Sequence, residues 1–202
     1  MEYDPAIFAD VKSEDDAKSV ILGPDGVFST DERWEIETKY LIDLIRAHMP
    51  IDDALCLDYG CGIGRLSKEL LNCTNWAVVG YDISKAMKEM AERYVDEPLR
   101  FGIGNLLYTT NRFDYALAVW VLQHCPYPEN DIAKIRDNLR PGGRLFVLNL
   151  RERCVPCRGG WYDDGYDVWD KLSHEFATVH IEQADPAIIP RPSWWGVFTK
   201  GG

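Results

Sequence analysis

The residues best suited to chemistry stand together at Asp58-Tyr59-Gly60-Cys61-Gly62-Ile63-Gly64. Glycines at a strand-to-helix turn let the backbone pass close beneath a ligand that a side chain would hold off. Asp58 precedes the turn, and Asp82 follows it at the end of the next apolar run. A carboxylate in front of the turn is poorly placed beside a pyrophosphate but well placed beside ammonium or sulfonium charge. The spacing agrees. A dinucleotide fingerprint puts two residues between its second and third glycines. Here Gly64 comes one position early, and Arg65 stands where the fingerprint needs a small residue. A nicotinamide oxidoreductase is therefore disfavoured. A cationic adenosine ligand is favoured, with Asp82 placed to accept both ribose hydroxyls.

Those residues must be held by regular elements. Short apolar runs at 54–58, 76–81, 99–103, 113–119 and 144–150 read as strands, most of them separated by helical spacing at 65–72, 84–94 and 129–139. Near-continuous apolar strands of this kind belong in a parallel sheet covered on both faces. Further strands at 178–182 and 194–199 are joined only by a proline-containing loop, which predicts antiparallel neighbours. The fold expected is α/β: a doubly wound, mostly parallel seven-stranded sheet with an antiparallel last strand. Such a sheet binds ligands beyond the carboxyl ends of its strands, where strand order reverses. Ahead of it, Ser29-Thr30-Asp31-Glu32 has capping-box spacing and predicts a helix ending near Pro50, with a shorter helix at 14–22.

The chain has 202 residues, 46% of them hydrophobic, enough for one domain with a sizeable core. Its net charge is −11. Such a surface repels phosphate backbones, so nucleic-acid binding is disfavoured unless Arg140, Arg144, Arg151, Arg153 and Arg158 form a local patch. No apolar run spans a bilayer and the acidic start lacks a leader pattern, so a cytoplasmic location without membrane attachment is expected. Cys154-Val155-Pro156-Cys157 has metal-like spacing but no second pair, and the expectation is no metal.

From about Ile51 to Lys200 the chain resembles the class I S-adenosylmethionine-dependent methyltransferases, in particular the small single-domain group with an acid before the glycine motif. Leu57-Asp58-Tyr59-Gly60-Cys61-Gly62-Ile63-Gly64-Arg65 is similar to the family's first motif. Val78-Val79-Gly80-Tyr81-Asp82-Ile83-Ser84 is similar to its ribose-binding strand end. The segment 113–124 resembles the fourth strand with its substrate-facing extension, and Leu139-Arg140-Pro141-Gly142-Gly143 resembles the turn before the fifth. The resemblance implies a Rossmann-like S-adenosylmethionine-binding domain at 51–202, with an N-terminal helical appendage or lid at 1–50. It further implies that Asp58, Gly60, Cys61 and Gly62 hold the methionine end. Asp82 would take the ribose, Ile83 an adenine face, and Trp120 the neighbourhood of the sulfonium. Asn105 and Leu106 fall where the family usually has an acid accepting the adenine amino group; Asn105 can accept only through its amide, without charge.

Methyl transfer from a sulfonium is an in-line displacement that leaves S-adenosylhomocysteine, and positioning supplies much of the acceleration. His124, after the fourth strand, is the candidate base. The acceptor wall is expected from Arg33 and Trp34 on the N-terminal helix and from Trp161 and Tyr162, whose aromatic rings among acids suit an amine or other cation. The proline-rich grip of nucleobase amino methylation and the Pro-Cys nucleophile of cytosine methylation are both absent from the expected places. What remains is a small-molecule N or O nucleophile, with a protein side chain or a non-catalytic cofactor-binding role as alternatives.

Overall fold

In the computed structural model, residues 2–106 and 112–202 are described. A short helix α1 (Ala6–Ala9) and an acidic helix α2 (Glu14–Ile21) precede α3 (Thr30–His48). The expected capping box is present: the Ser29 hydroxyl accepts from the Glu32 N–H, and Glu32 Oε2 accepts from the Ser29 N–H at 2.8 Å. Pro50 lies just beyond the Met49 cap.

The glycine segment lies between β1 (Leu55–Tyr59) and α4 (Arg65–Cys73), followed by β2 (Ala77–Tyr81), α5 (Lys85–Val95) and β3 (Phe101–Ile103). The third strand starts later than its apolar pattern suggests. Pro98 and Leu99 form a turn in which the Arg100 N–H donates to Glu97 O, leaving Leu99 exposed. Next come β4 (Phe113–Val119), α6 (Pro128–Asn138) and β5 (Leu139–Leu150). Leu139 already pairs with Phe113, and the register then jumps to Tyr115 against Arg144, so Pro141-Gly142-Gly143 forms a bulge within the strand. An unanticipated hairpin, β6 (Val155–Cys157) with β7 (Gly160–Tyr162), leads to α7 (Val168–Glu175), β8 (Ala177–Gln183) and β9 (Ser193–Thr199).

The main sheet runs β3-β2-β1-β4-β5-β9-β8. Its first five strands pair in parallel, while β9 is antiparallel to both β5 and β8, as the loop between the last two strands requires. Strand order reverses between β1 and β4, so their carboxyl ends flank the crevice where such sheets take ligands.

Alternation along the strands divides the core in two. Cys56, Tyr115 and Phe146 face Leu41, Ile45 and Leu70 of α3 and α4. Leu57, Ala116 and Leu145 face Ile132, Ile135 and Leu172 of α6 and α7. Leu41 and Ile45 are fully buried, so α3 is part of the sheet's packing while α1 and α2 lie over its end. Truncating Ile45 to Ala would cost about 2–5 kcal/mol. No helix among the described residues is long and apolar enough to cross a membrane.

Candidate functional site

A cavity of about 390 Å³ opens at the carboxyl ends of β1, β2 and β4. Gly60, Gly62, Asp82, Ile83 and Met87 form one side, Trp120, Val121 and His124 another, and Tyr3, Phe8, Val20 and Ile21 the roof. Tyr59, Tyr81, Asn130, Asp131 and Lys134 complete the lining.

Gly60 and Gly62 have φ of 75° and 53°, in the left-handed region that side chains disfavour. Close approach also demands glycine there. A Cβ on Gly60 would lie 2.3 Å from Val121 Cγ2, and one on Gly62 would lie 2.7 Å from Ile21 Cδ1. The bare turn therefore admits neighbouring side chains as well as a ligand. The Gly60 and Cys61 N–H groups both donate to Tyr81 O, which pins the turn to β2.

The two flanking carboxylates differ. Asp82 reaches the cavity, where Oδ2 accepts from the Gly62 N–H at 2.9 Å and Oδ1 from the Ser84 N–H at 2.8 Å. Burial raises its pKa, partly offset by those backbone donors. Asp58 is buried beneath the turn, outside the lining, and accepts from Ser67 Oγ at 2.6 Å. Burial raises its pKa to about 6, against the pull of Ser67 and Arg65. Its charge acts through the backbone of the turn instead of by contact with the cavity. Cys61 is likewise buried, with its sulfur over Gly80.

Ile83 and Trp120 line the cavity; exposed Asn105 and buried Leu106 do not, and Leu106 packs in the core beside Phe113. Trp120 has φ of 59° although it is not glycine, and its indole N–H donates to Glu37 Oε2 at 3.3 Å.

His124 Nδ1 stands 2.7 Å from Cys154 O, and a carbonyl accepts, so Nδ1 carries the proton. Nε2 is then the acceptor, facing the Gln123 amide nitrogen at 3.2 Å. Burial lowers the His124 pKa to about 4, opposed by the Cys154 carbonyl. The ring forms a three-ring cluster with Phe8 and Trp161, with centroids at 5.2 and 5.4 Å from its own and 6.1 Å from each other.

Arg33 and Trp34, anticipated on the acceptor wall, do not line the cavity. Arg33 is buried on Glu37 at 2.6 Å and Asp25 at 3.3 Å, and the Trp34 indole N–H donates to Tyr94 OH at 3.3 Å. With those bonds Arg33 faces the loop between α2 and α3, and Trp34 faces α2 and α5. Trp161 backs His124 without lining the cavity, and Tyr162 lies exposed at the hairpin's end. The roof comes instead from residues 3–21. Tyr3 bridges Cys157, the Asp4 N–H donates to Pro156 O, and Arg158 pairs with Glu2, so the N-terminus extends the β6–β7 hairpin. These roof residues, and the polar group in which Tyr59 OH and Lys134 Nζ both donate to Asp131 Oδ1, had no motif to mark them. The amphipathic end of α2, Val20-Ile21, was the one available sign.

A cradle that a Cβ would fill, a carboxylate beside it and an apolar shelf at Ile83 fit a nucleoside carrying positive charge. Residues 57–147 match the family described as a methyltransferase domain. The matched stretch, which holds the glycine turn with most of β1 and all of β2 and β4, is thus similar to a methyltransferase domain. Among relatives, the tRNA U34 carboxymethyltransferase of Cellvibrio japonicus is 29% identical over 152 residues, covering 69% of this chain and 47% of that protein. The ubiquinone biosynthesis O-methyltransferase of Nitrosococcus oceani is 31% identical over 116 residues, covering 54% and 49%. The chain thus spans about half the length of the curated relatives it matches. In fold it is similar to the magnesium protoporphyrin IX methyltransferase of Synechocystis PCC 6803, solved with S-adenosylmethionine, with a TM-score of 0.66, 19% identity and coverage of 95% and 93%.

Proposed function

We propose that this protein transfers the methyl group of S-adenosylmethionine to a small-molecule N or O nucleophile. The observation that carries this reading is the roof. Tyr3, Phe8, Val20 and Ile21 close over a cavity at the small end of the range for ligand sites, and donor and acceptor must share it. An open groove for a polymer would lack that cover. In this reading residues 1–50 combine two roles: α3 is built into the core, and the segment before it is the lid.

The cofactor supplies an activated methyl group on a sulfonium. Asp82 accepts the ribose hydroxyls, Gly60 and Gly62 present backbone to the methionine end, and Ile83 covers one adenine face. Asp58 supplies negative charge from beneath the turn. Asn105, exposed two residues beyond β3, would meet the adenine edge outside the cavity lining, while Leu106 packs in the core. The aromatic roof excludes water and holds the acceptor in line, where orientation provides the main acceleration. His124 is a wall of the acceptor compartment: a ring with its pKa near 4 stays neutral and takes a proton weakly at pH 7. An amine acceptor can release its proton to solvent.

The tRNA-modifying relative favours a second reading, a polymer acceptor. Four of the five arginines that could have formed a phosphate-binding patch are engaged elsewhere, Arg140 with Asp114, Arg153 with Asp164, Arg158 with Glu2 and Arg144 with His48 O, and Arg151 is exposed. Incubation with methyl-labelled cofactor and separate metabolite, protein and RNA fractions decides between them. Label in the metabolite fraction is expected; label in RNA or protein alone would overturn the small-molecule reading.

A further inference from the structure

Among the described residues that line the cavity, Trp120 is the one whose side chain bonds to α3. Its backbone N–H donates to Leu148 O at 2.9 Å, fixing the residue in a left-handed conformation that L side chains rarely adopt. The next residue, Val121, lies against Gly60, so Trp120 borders the glycine turn. Its indole N–H reaches away from the turn to Glu37 Oε2 at 3.3 Å. The ring therefore spans the gap between α3 and the cavity.

Glu37 is fully buried and both its oxygens are engaged. Oε1 takes Arg33 Nε at 2.7 Å and Nη2 at 2.6 Å, while Oε2 takes the indole. Arg33 is held in turn by Asp25 and Gly23 O. Arg65, beneath the turn, donates to Thr38 Oγ1 at 3.1 Å. Apolar side chains of similar volume fill such space at least as well as a buried ion pair does. The Arg33 pair accounts for Glu37 Oε1, and Oε2 is left for the indole.

We propose that Glu37 is a positioning residue. It holds the Trp120 ring against the donor's sulfonium and gives the site its preference for the charged donor over the neutral product. A cation is attracted to the face of an indole, and donation to a buried carboxylate polarises the ring toward greater negative charge. S-adenosylhomocysteine lacks the sulfonium charge, so it loses this attraction while keeping every ribose and adenine contact. The product is thereby released in favour of fresh donor. This inference rests on the reading that Trp120 borders the donor.

The test is calorimetric affinity for S-adenosylmethionine and S-adenosylhomocysteine in the full chain, Glu37→Gln, Trp120→Phe and the double variant. Glu37→Gln should weaken S-adenosylmethionine about fivefold to tenfold and change S-adenosylhomocysteine less than about twofold. Trp120→Phe should also lower the donor-to-product preference, and the double variant should match it, because Glu37 acts only through the indole. Equal loss for both ligands in Glu37→Gln, or additive effects in the double variant, overturns the proposal. If Trp120→Phe leaves both affinities unchanged, the reading of Trp120 itself fails. Should Glu37→Gln not fold, a donor preference in Trp120→Phe equal to that of the parent chain refutes the proposal by itself.

Discussion

The two sides of the cavity are built by different means. The side formed by the glycine turn and the end of β2 comes from residues near one another in sequence and works largely through backbone: left-handed glycines, N–H groups, and a carboxylate seated on two of them. The opposite side joins Tyr3, Phe8 and Ile21 to Trp120, His124 and Asp131, segments far apart in the chain, and works through side chains. On the proposed function, the contrast separates two demands on one site. Holding an invariant cofactor needs a fixed backbone geometry, whereas choosing an acceptor needs a surface that substitution can reshape.

Asp82→Asn attacks the first side most severely. The substitution keeps the shape and removes the charged acceptor for two hydroxyls; hydrogen bonds to charged groups contribute about 1.5–3 kcal/mol each. Affinity for S-adenosylmethionine should fall on the order of 100-fold in calorimetry. Retained affinity would remove Asp82 from the ribose site and with it the distinction between the two sides.

Asp58→Asn should separate binding from stability. Asp58 holds its proton more tightly folded than unfolded, from 3.8 to about 6. Its stabilising proton is present below that window and lost as pH rises through it, leaving a penalty of about 3 kcal/mol at pH 7. The ligand-free variant should therefore resist urea better than the parent at pH 7 while binding the cationic cofactor about tenfold more weakly. A variant less stable at pH 7 would show that the Ser67 hydrogen bond outweighs the cost of burying the charge.

The same division explains what the sequence made legible. Parallel strands, the switch point, the capping box and the glycine turn stand where the pattern puts them, although β3 begins two residues later and β5 five residues earlier than their apolar runs. Asp82 was legible because a strand end fixes it. The burial of Asp58 was not, since it depends on Ser67 rising from α4 to meet it. Arg33 and Trp34 pointed to a wall because α3 was recognisable, but periodicity could not tell which of its faces met α2, the loop after it and α5. Tyr3 and Phe8 carry no motif at all; their place follows from strand pairing between Tyr3 and Cys157.

On the acceptor side, His124 should govern acid sensitivity. The unfolded chain binds a proton on this ring below pH 6.5, while the folded protein binds it only below about 4. Stability from the neutral ring is present above that window and lost as pH falls through it, by about 3 kcal/mol. Asp58 gains as pH falls between about 6 and 3.8, so the two nearly cancel in the parent chain. His124→Asn should unmask the Asp58 dependence: its urea midpoint should rise as pH drops from 6.5 to 4.5 relative to the parent. Parallel midpoints in the two proteins would place the His124 pKa near its ordinary value and restore it as a candidate base.

Phe8→Ala makes the smallest change and the sharpest comparison. Phe8 meets His124 and Trp161 from the roof as tilted ring pairs and makes no such ring contact with Gly62, Asp82 or Ile83. Removing it opens the acceptor compartment and leaves Gly62, Asp82 and Ile83 as they are. The KM for the acceptor should rise about threefold to tenfold, in keeping with the modest contribution of one partly exposed aromatic contact, while cofactor affinity stays within about twofold. Steady-state kinetics with the acceptor found by labelling, beside calorimetry with S-adenosylmethionine, reads both. If cofactor affinity falls as far as the acceptor KM rises, the roof closes over the donor as well, and the two sides of the cavity act as one unit.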